Sequence, residues 1–288
     1  MVKILSFLFI VFIQIINSQE KKFELIDPNY SGIHFNNIVQ DKKEHNILLY
    51  ANYYGGGGVG IADFDNDGLQ DIYLTGNLVG DKIYRNLGEL KFEDLTEKSG
   101  IVDNGSWSSG VSIADVNNDG LLDIYVSKEL YDDKPELRKN KLYINKGNFK
   151  FIEESDKWGV DVSARTRHAV FFDYNNDGLL DLYLLNQPPN PGSYSKYFGA
   201  NLTLPEYSLQ LFENTGDNYF IDVTKKAGLF RTGFPNAVVA SDFNKDGLTD
   251  LYVANDFDAP DFLYYNNGDG TFKYKTEESL KHTSFYSM

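Results

Sequence analysis

One nine-residue pattern occurs four times: Asp63-Phe-Asp-Asn-Asp-Gly-Leu-Gln-Asp71, Asp115-Val-Asn-Asn-Asp-Gly-Leu-Leu-Asp123, Asp173-Tyr-Asn-Asn-Asp-Gly-Leu-Leu-Asp181 and Asp242-Phe-Asn-Lys-Asp-Gly-Leu-Thr-Asp250. The copies start 52, 58 and 69 residues apart. A period of that size means one supersecondary unit per repeat, with insertions lengthening the later ones.

The flanks repeat as well. A short apolar segment precedes each copy (Gly60-Ile-Ala, Val111-Ser-Ile-Ala, Ala169-Val-Phe-Phe, Val238-Val-Ala-Ser), and a β-type run follows it (Ile72-Tyr-Leu, Ile124-Tyr-Val, Leu182-Tyr-Leu, Leu251-Tyr-Val). Third segments end in Asn with Gly soon after: Ile83-Tyr-Arg-Asn, Leu142-Tyr-Ile-Asn, Leu211-Phe-Glu-Asn and Leu263-Tyr-Tyr-Asn. Fourth segments begin at Phe92, Phe151, Phe220 and Phe272. Four short strands per repeat, bounded by Gly/Asn turns, predict an all-β chain built as a β-propeller of four-stranded blades. The composition agrees. It is 15% aromatic, with 25 Gly and only 8 Pro, which suits pleated surfaces joined by many short turns.

Two details favour a ring over a linear stack. Phe23-Glu-Leu-Ile-Asp-Pro-Asn-Tyr-Ser-Gly-Ile33 parallels the fourth-strand region Phe92–Ile101, as a ring closed by its N-terminal strand requires. His282–Met288 reads as the entry to a further first strand, which predicts four full blades and part of a fifth. A complete four-bladed ring is the alternative.

Each nonapeptide offers Asp at its first position, Asp or Asn at the third, and Asp at the fifth and ninth. A Gly at the sixth lets the backbone wrap. The seventh residue is expected to give its carbonyl while its apolar side chain enters the core, and the ninth carboxylate to close the shell through both oxygens. Hard oxygen donors in a flexible shell of about 6–8 suit Ca²⁺ better than Mg²⁺. The expected ligands are Asp63, Asp65, Asp67, Leu69 and Asp71; Asp115, Asn117, Asp119, Leu121 and Asp123; Asp173, Asn175, Asp177, Leu179 and Asp181; and Asp242, Asn244, Asp246, Leu248 and Asp250. An EF-hand is excluded because the twelfth-position Glu and the flanking helices are missing. The competing reading is that the Asp residues only cap turns. Four in-register copies favour metal, about four sites in all.

Charge and cysteine content narrow the setting. The net charge is −15, which disfavours a nucleic-acid or anionic-membrane partner. The loops hold thirteen of the carboxylates, four in the first and three in each of the others. There is no Cys, so disulfides, thiolate metal sites and Cys nucleophiles are excluded. Lys3, the apolar run Ile4–Ile16 and the polar Asn17-Ser18-Gln19 have the layout of a secretory signal peptide over residues 1–18. That run is shorter than the roughly 18 residues a membrane span needs. The expected product is a propeller over 19–288 that is secreted, periplasmic or held at the cell surface, without membrane insertion.

These motifs resemble the FG-GAP or VCBS repeat, the blade unit of integrin α-subunit propellers and of many bacterial exported proteins. With Tyr53-Tyr-Gly-Gly-Gly-Gly58 ahead of the first loop, the chain looks like the N-terminal part of bacterial VCBS-repeat proteins that carry a C-terminal ASPIC/UnbV region. The Phe-Gly/Gly-Ala-Pro signature is not present in clear form, so the integrin likeness is one of fold. The resemblance implies Ca²⁺ at the loop positions named above, a seven-bladed ring and a binding role.

On the face opposite the Asp loops, the links between blades collect Trp107, Arg165, Arg167, His168, Arg231, Phe234, His282, Phe285 and Tyr286. The largest insertion, Asn186–Ser208, adds Tyr194, Tyr197, Phe198 and Tyr207. Aromatic and Arg side chains anchor interfaces. Of these, Trp107, Arg165, Arg167, His168, Tyr194, Tyr197, Arg231 and Phe234 are the candidate ligand contacts. Packing of the propeller's centre is the other reading. The chain thus reads as a Ca²⁺-stabilised module for an extracellular protein or glycan. A polysaccharide lyase or hydrolase on the same scaffold and a purely structural surface component are the alternatives. No HExxH or GxSxG motif supports catalysis.

Overall fold

The computed structural model describes residues 23–50, 52–102, 105–188, 207–257 and 259–280. It is all-β, with four four-stranded antiparallel sheets, each a meander in chain order. The first blade comprises β1 (Val59–Ala62), β2 (Asp71–Leu74), β3 (Lys82–Asn86) and β4 (Phe92–Asp94). The second comprises β5 (Trp107–Ala114), β6 (Asp123–Glu129), β7 (Lys141–Asn145) and β8 (Phe151–Glu153). The third comprises β9 (Arg165–Phe172), β10 (Asp181–Gln187), β11 (Gln210–Asn214) and β12 (Phe220–Asp222). The fourth comprises β13 (Pro235–Ser241), β14 (Asp250–Asn255), β15 (Phe262–Asn266) and β16 (Phe272–Tyr274). Every fourth strand begins at its predicted Phe. First strands stand side by side, β1 by β5, β5 by β9 and β9 by β13, as the inner strands of neighbouring propeller blades do.

The core lies between sheets, in three apolar layers. Tyr73 and Ile83 of the first blade meet Ile124, Val126 and Tyr143 of the second. Tyr125, Leu142 and Ile144 meet Leu182, Leu184 and Phe212. Tyr183, Leu185 and Leu211 meet Leu251, Val253 and Tyr264. A sheet with neighbours on both faces cannot alternate in and out. Accordingly β6 and β10 are buried at every residue, polar ones included, whereas β13 alternates along its length.

Three inner-strand pairings contain a register shift at the end away from the Asp loop: between Ser108 and Gly110, between Leu185 and Asn186, and between Pro235 and Ala237. In the third blade the residue left unpaired is Arg167. Such an irregularity re-aims the side chain it carries.

The N-terminal stretch belongs to none of the four sheets. Phe23 and Leu25 are exposed, residues 23–27 pair with no strand among the described residues, and a short turn of helix follows at Pro28–Ser31. The alignment of this stretch with Phe92–Ile101 still holds in space. Gly32 (φ 77°) and Gly100 (φ 87°) take the same left-handed turn, and a Cβ on either would collide with a backbone carbonyl oxygen, that of Phe92 or of Phe151. Only glycine fits there. Residues 1–18, His282–Met288 and most of the Asn186–Ser208 insertion fall outside the described residues. Among those described, no helix is long and apolar enough to cross a membrane.

Candidate metal centre

Each nonapeptide bridges the first and second strands of its blade, and all four take one conformation. The fourth and sixth positions are left-handed in every copy: Asn66 and Gly68, Asn118 and Gly120, Asn176 and Gly178, Lys245 and Gly247. Carboxylates hold this shape. In the first loop Asp63 accepts the backbone N–H groups of Asp67 (3.1 Å) and Gly68 (2.8 Å), and Asp67 accepts that of Leu69 (2.9 Å). Asp115, Asp173 and Asp242 do the same in their loops. The Asp residues therefore cap the loop's own amides, and a cation would use the lone pairs that remain.

The ninth-position carboxylates sit deepest. Asp71, Asp123, Asp181 and Asp250 are all essentially unexposed. One oxygen accepts the N–H of the loop's second residue and the other that of the third-strand Asn: for Asp123, from Val116 (3.0 Å) and Asn145 (2.8 Å). Both oxygens thus already carry a backbone bond, which sequence reasoning had not foreseen. Burial pushes Asp71 and Asp123 up to about 6 and Asp181 up to about 7, against the two N–H donors of each and with added repulsion from neighbouring loop carboxylates. These groups are short of positive charge, which a hard cation would supply.

The first loop answers the question of fit most directly. Ligand oxygens of Asp63, Asp65 and Asp71 lie within 4.8 Å of one another. The Asp65 side chain is only 9% exposed, and its Oδ1 is buried with no hydrogen-bond partner. A buried carboxylate oxygen left unbonded is costly unless a cation meets it. The other loops have Asn at this position. Asn117, Asn175 and Asn244 each accept from the fifth-position amide and donate to the fifth-position carboxylate, at 2.9, 2.9 and 2.8 Å for the latter. The donor set in all four is oxygen-rich and fits Ca²⁺.

One expectation is overturned. The seventh-position side chains do not enter the core. Leu69 is exposed, and Leu121, Leu179 and Leu248 lie half-buried over the glycines of the turn between the third and fourth strands. In the first three loops the second position turns inward, where the following blade covers it, as Phe149 and Phe151 cover Phe64; Phe243 in the fourth loop makes the same backbone tie to Asp250 and is 42% exposed. Phe64, Val116 and Tyr174 are at most 2% exposed. Burying Phe64 alone contributes about 2–3 kcal/mol.

Sequence reasoning also missed the third-strand Asn, read only as a turn residue although it stands in all four copies. Asn145 donates its amide to Phe64 O in the first loop (2.9 Å) and to Leu122 O in its own (3.1 Å), while its Oδ1 accepts from Gly147 N–H (2.9 Å). Asn214 reaches Val116 O (2.9 Å) and Asn266 reaches Tyr174 O (2.7 Å) in the same way. The second, third and fourth blades thereby each hold the loop of the blade before.

On the opposite face, the proposed ligand contacts that are described pack against or pair with other residues of the chain. Trp107 is fully buried against Tyr50 and Tyr53. Arg165 forms an ion pair with Asp132 and lies over the Tyr50 ring. Arg167, placed by the bulge, reaches Glu129 at 3.4 Å, and the same fully buried Glu129 accepts from the Tyr50 hydroxyl. Burial and the adjacent Arg167 hold His168 below the usual imidazole range. Phe234 is buried against Phe257, and Arg231 stacks on Tyr274 with its guanidinium 4.0 Å from the ring centre. Tyr194 and Tyr197 lie outside the described residues.

Comparison with known proteins places these features in context. The FG-GAP-like repeat matches residues 45–126 and 242–287. Cartilage acidic protein 1 of Homo sapiens is 23% identical over 205 residues, which cover 71% of this chain and 29% of that protein. Its Xenopus tropicalis counterpart is 24% identical over 206 residues, 70% of this chain and 29% of that protein. The matched region thus spans less than a third of these curated relatives. Among solved structures, an Agrocybe aegerita lectin described as recognising non-reducing terminal N-acetylglucosamine aligns with a TM-score of 0.43 and 18% identity, over 75% of this chain and 50% of that one. The V. cholerae biofilm matrix protein Bap1 aligns with a TM-score of 0.37 and 16% identity, over 78% and 30%. The chain is thus a propeller of four-stranded blades whose first and last parts match the FG-GAP-like repeat and which is similar to part of cartilage acidic protein 1.

Proposed function

We propose that this chain is an exported calcium-binding propeller that serves as a binding or adhesion module for an extracellular protein or glycan. The buried, unpartnered Oδ1 of Asp65, gathered with Asp63 and Asp71, is the observation that carries the metal reading. Asp67 and the Leu69 carbonyl complete the proposed first site, and the matching positions of the other loops form three more. Bound Ca²⁺ supplies positive charge to carboxylates that burial holds away from water. The protein's own part is to fix those oxygens, through the amide bonds of the loop and the third-strand Asn. At a Kd of about 10⁻⁴–10⁻³ M, typical of extracellular modules, tenfold excess Ca²⁺ stabilises each site by about 1.4 kcal/mol, so four give roughly 6 kcal/mol. That is comparable with the whole stability of a domain, about 5–15 kcal/mol. In a chain without Cys, cations then do the stapling.

FG-GAP-like repeats on a propeller are compatible with a binding or adhesion role. A relative named for cartilage and for its acidity accords with an acidic chain of net charge −15 acting outside the cell. The N-terminal apolar run supports export.

The test is calorimetric titration of Ca²⁺ into the chain from Gln19 onward, with thermal melting in calcium and in EDTA. Several equivalents bound, and a melting temperature higher by about ten degrees or more, are expected. A folded chain that takes up no Ca²⁺ at millimolar concentration would leave the Asp residues as turn caps and end the metal reading.

A further inference from the structure

The four loops of one chain serve as an internal comparison, and the first breaks the pattern in two places at once. Its third position is Asp65 where the others have Asn117, Asn175 and Asn244. The residue before its third-strand Asn is Arg85, where the others have Ile144, Glu213 and Tyr265. Strand register puts those four residues at equivalent places, opposite Glu93, Ile152, Ile221 and Lys273 of the fourth strands.

The two differences meet in space. In the later loops the Asn amide donates to Oδ2 of the fifth-position Asp. Asp65 has no N–H to give, and in the first loop the same acceptor, Asp67 Oδ2, is met by the Arg85 guanidinium at 3.0 Å. That guanidinium also reaches Asp65 Oδ2 at 2.7 Å. Among the described residues, no ion pair involves the carboxylates of the other three loops. Arg85 thus replaces the missing amide donor and offsets the extra negative charge, so that loop and guanidinium together carry −3, the charge of each nonapeptide's Asp set elsewhere. The guanidinium takes the outer oxygens, leaving Asp65 Oδ1 buried and unpartnered beside Asp63 and Asp71.

We propose that Arg85 is a tethered counter-cation for the first loop, holding it folded when calcium is absent and opposing calcium when it arrives. The inference rests on the metal reading given above. The three Asn-bearing loops have no such substitute and depend on free cation, whereas the first is preformed. Coupling between the two positive charges is reciprocal: whatever Arg85 contributes to the metal-free loop, calcium must overcome. With about 1 kcal/mol for a partly exposed guanidinium shared by two carboxylates, that is roughly a fivefold reduction in the site's affinity.

The experiment is a double-mutant cycle with Arg85→Gln, Asp65→Asn and the pair, melted in EDTA and in millimolar Ca²⁺. In EDTA, R85Q should melt about 2–4 °C below wild type. The double variant should recover, because the introduced asparagine restores the amide donor of the other loops. In Ca²⁺ the R85Q deficit should shrink to within error, and calorimetry should show one site tightened about fivefold. A deficit of equal size in both buffers would overturn the inference, since Arg85 would then be an ordinary surface pair. So would a deficit in EDTA that D65N fails to rescue. Wild-type melting unmoved by calcium would overturn the metal reading and this inference with it. A wild type that responds while R85Q behaves like it in EDTA would overturn this inference alone.

Discussion

Replacing Asn145 by Ala tests whether neighbouring blades are fastened through their loops. The side chain is unexposed and makes three hydrogen bonds, to Phe64 O, Leu122 O and Gly147 N–H. Each is worth about 1 kcal/mol net, and the stranded Phe64 carbonyl, buried between blades, adds a desolvation cost of about 1 kcal/mol or more. The expected loss is about 4 kcal/mol. Asn86 supplies the internal control. It is half-buried, donates to Gln70 O (2.8 Å) and accepts from Gly88 N–H (2.8 Å), so both of its side-chain bonds stay within its own blade. Asn86→Ala should therefore cost about 2 kcal/mol. The assay is urea unfolding at fixed Ca²⁺, comparing free energies at constant slope, since a changed slope would signal a changed denatured state. The difference of about 2 kcal/mol between the variants isolates the bond between blades. Equal losses would refute the reasoning, because the Phe64 carbonyl would then be satisfied without Asn145.

Two further outcomes are expected. Lys245 holds the left-handed position that Asn occupies in the other loops, at φ 66°; Lys245→Asn should raise stability by about 0.5–1 kcal/mol, because Asn tolerates that region better than other side chains with a Cβ. Lys245→Ala, which removes the same charge without that tolerance, should not, and thermal melting in EDTA separates the two. Arg167→Ala should cost about 3 kcal/mol by leaving the Glu129 carboxylate buried with only the Tyr50 hydroxyl, and Glu129→Gln in the same chain should return most of it. A loss below about 0.5 kcal/mol in urea unfolding would show the pair to be dispensable.

The architecture was legible because repetition multiplies a weak signal. A single Phe-Glu-Asp or Ile-Tyr-Leu is ambiguous, but four copies in the same order fixed all sixteen strands, with the fourth strands starting at the predicted Phe residues. Local hydrogen bonding was the harder part. Which of two loop side chains is buried depends on what the following blade lays over the loop, and so Leu69 was expected inside where Phe64, covered by Phe149 and Phe151, is found. Arg167 looked like a free interface residue because nothing in the chain marks the bulge that aims it at Glu129. Asn145 was visible but undervalued, since its partner Phe64 lies 81 residues away. Arg85 also stood in plain view, and its meaning comes only from the distance to Asp65.

The Asn fastening has a direction, and synthesis runs along it. Phe64 O waits 81 residues for Asn145, Val116 O waits 98 for Asn214, and Tyr174 O waits 92 for Asn266. Each loop is sealed only after the third strand of the following blade has emerged. At about 5–20 residues per second, that is a delay of roughly 4–20 seconds on the ribosome. The first three blades then mature in file, each finished by its successor, and a stall in the nascent chain would leave its most recent loop open.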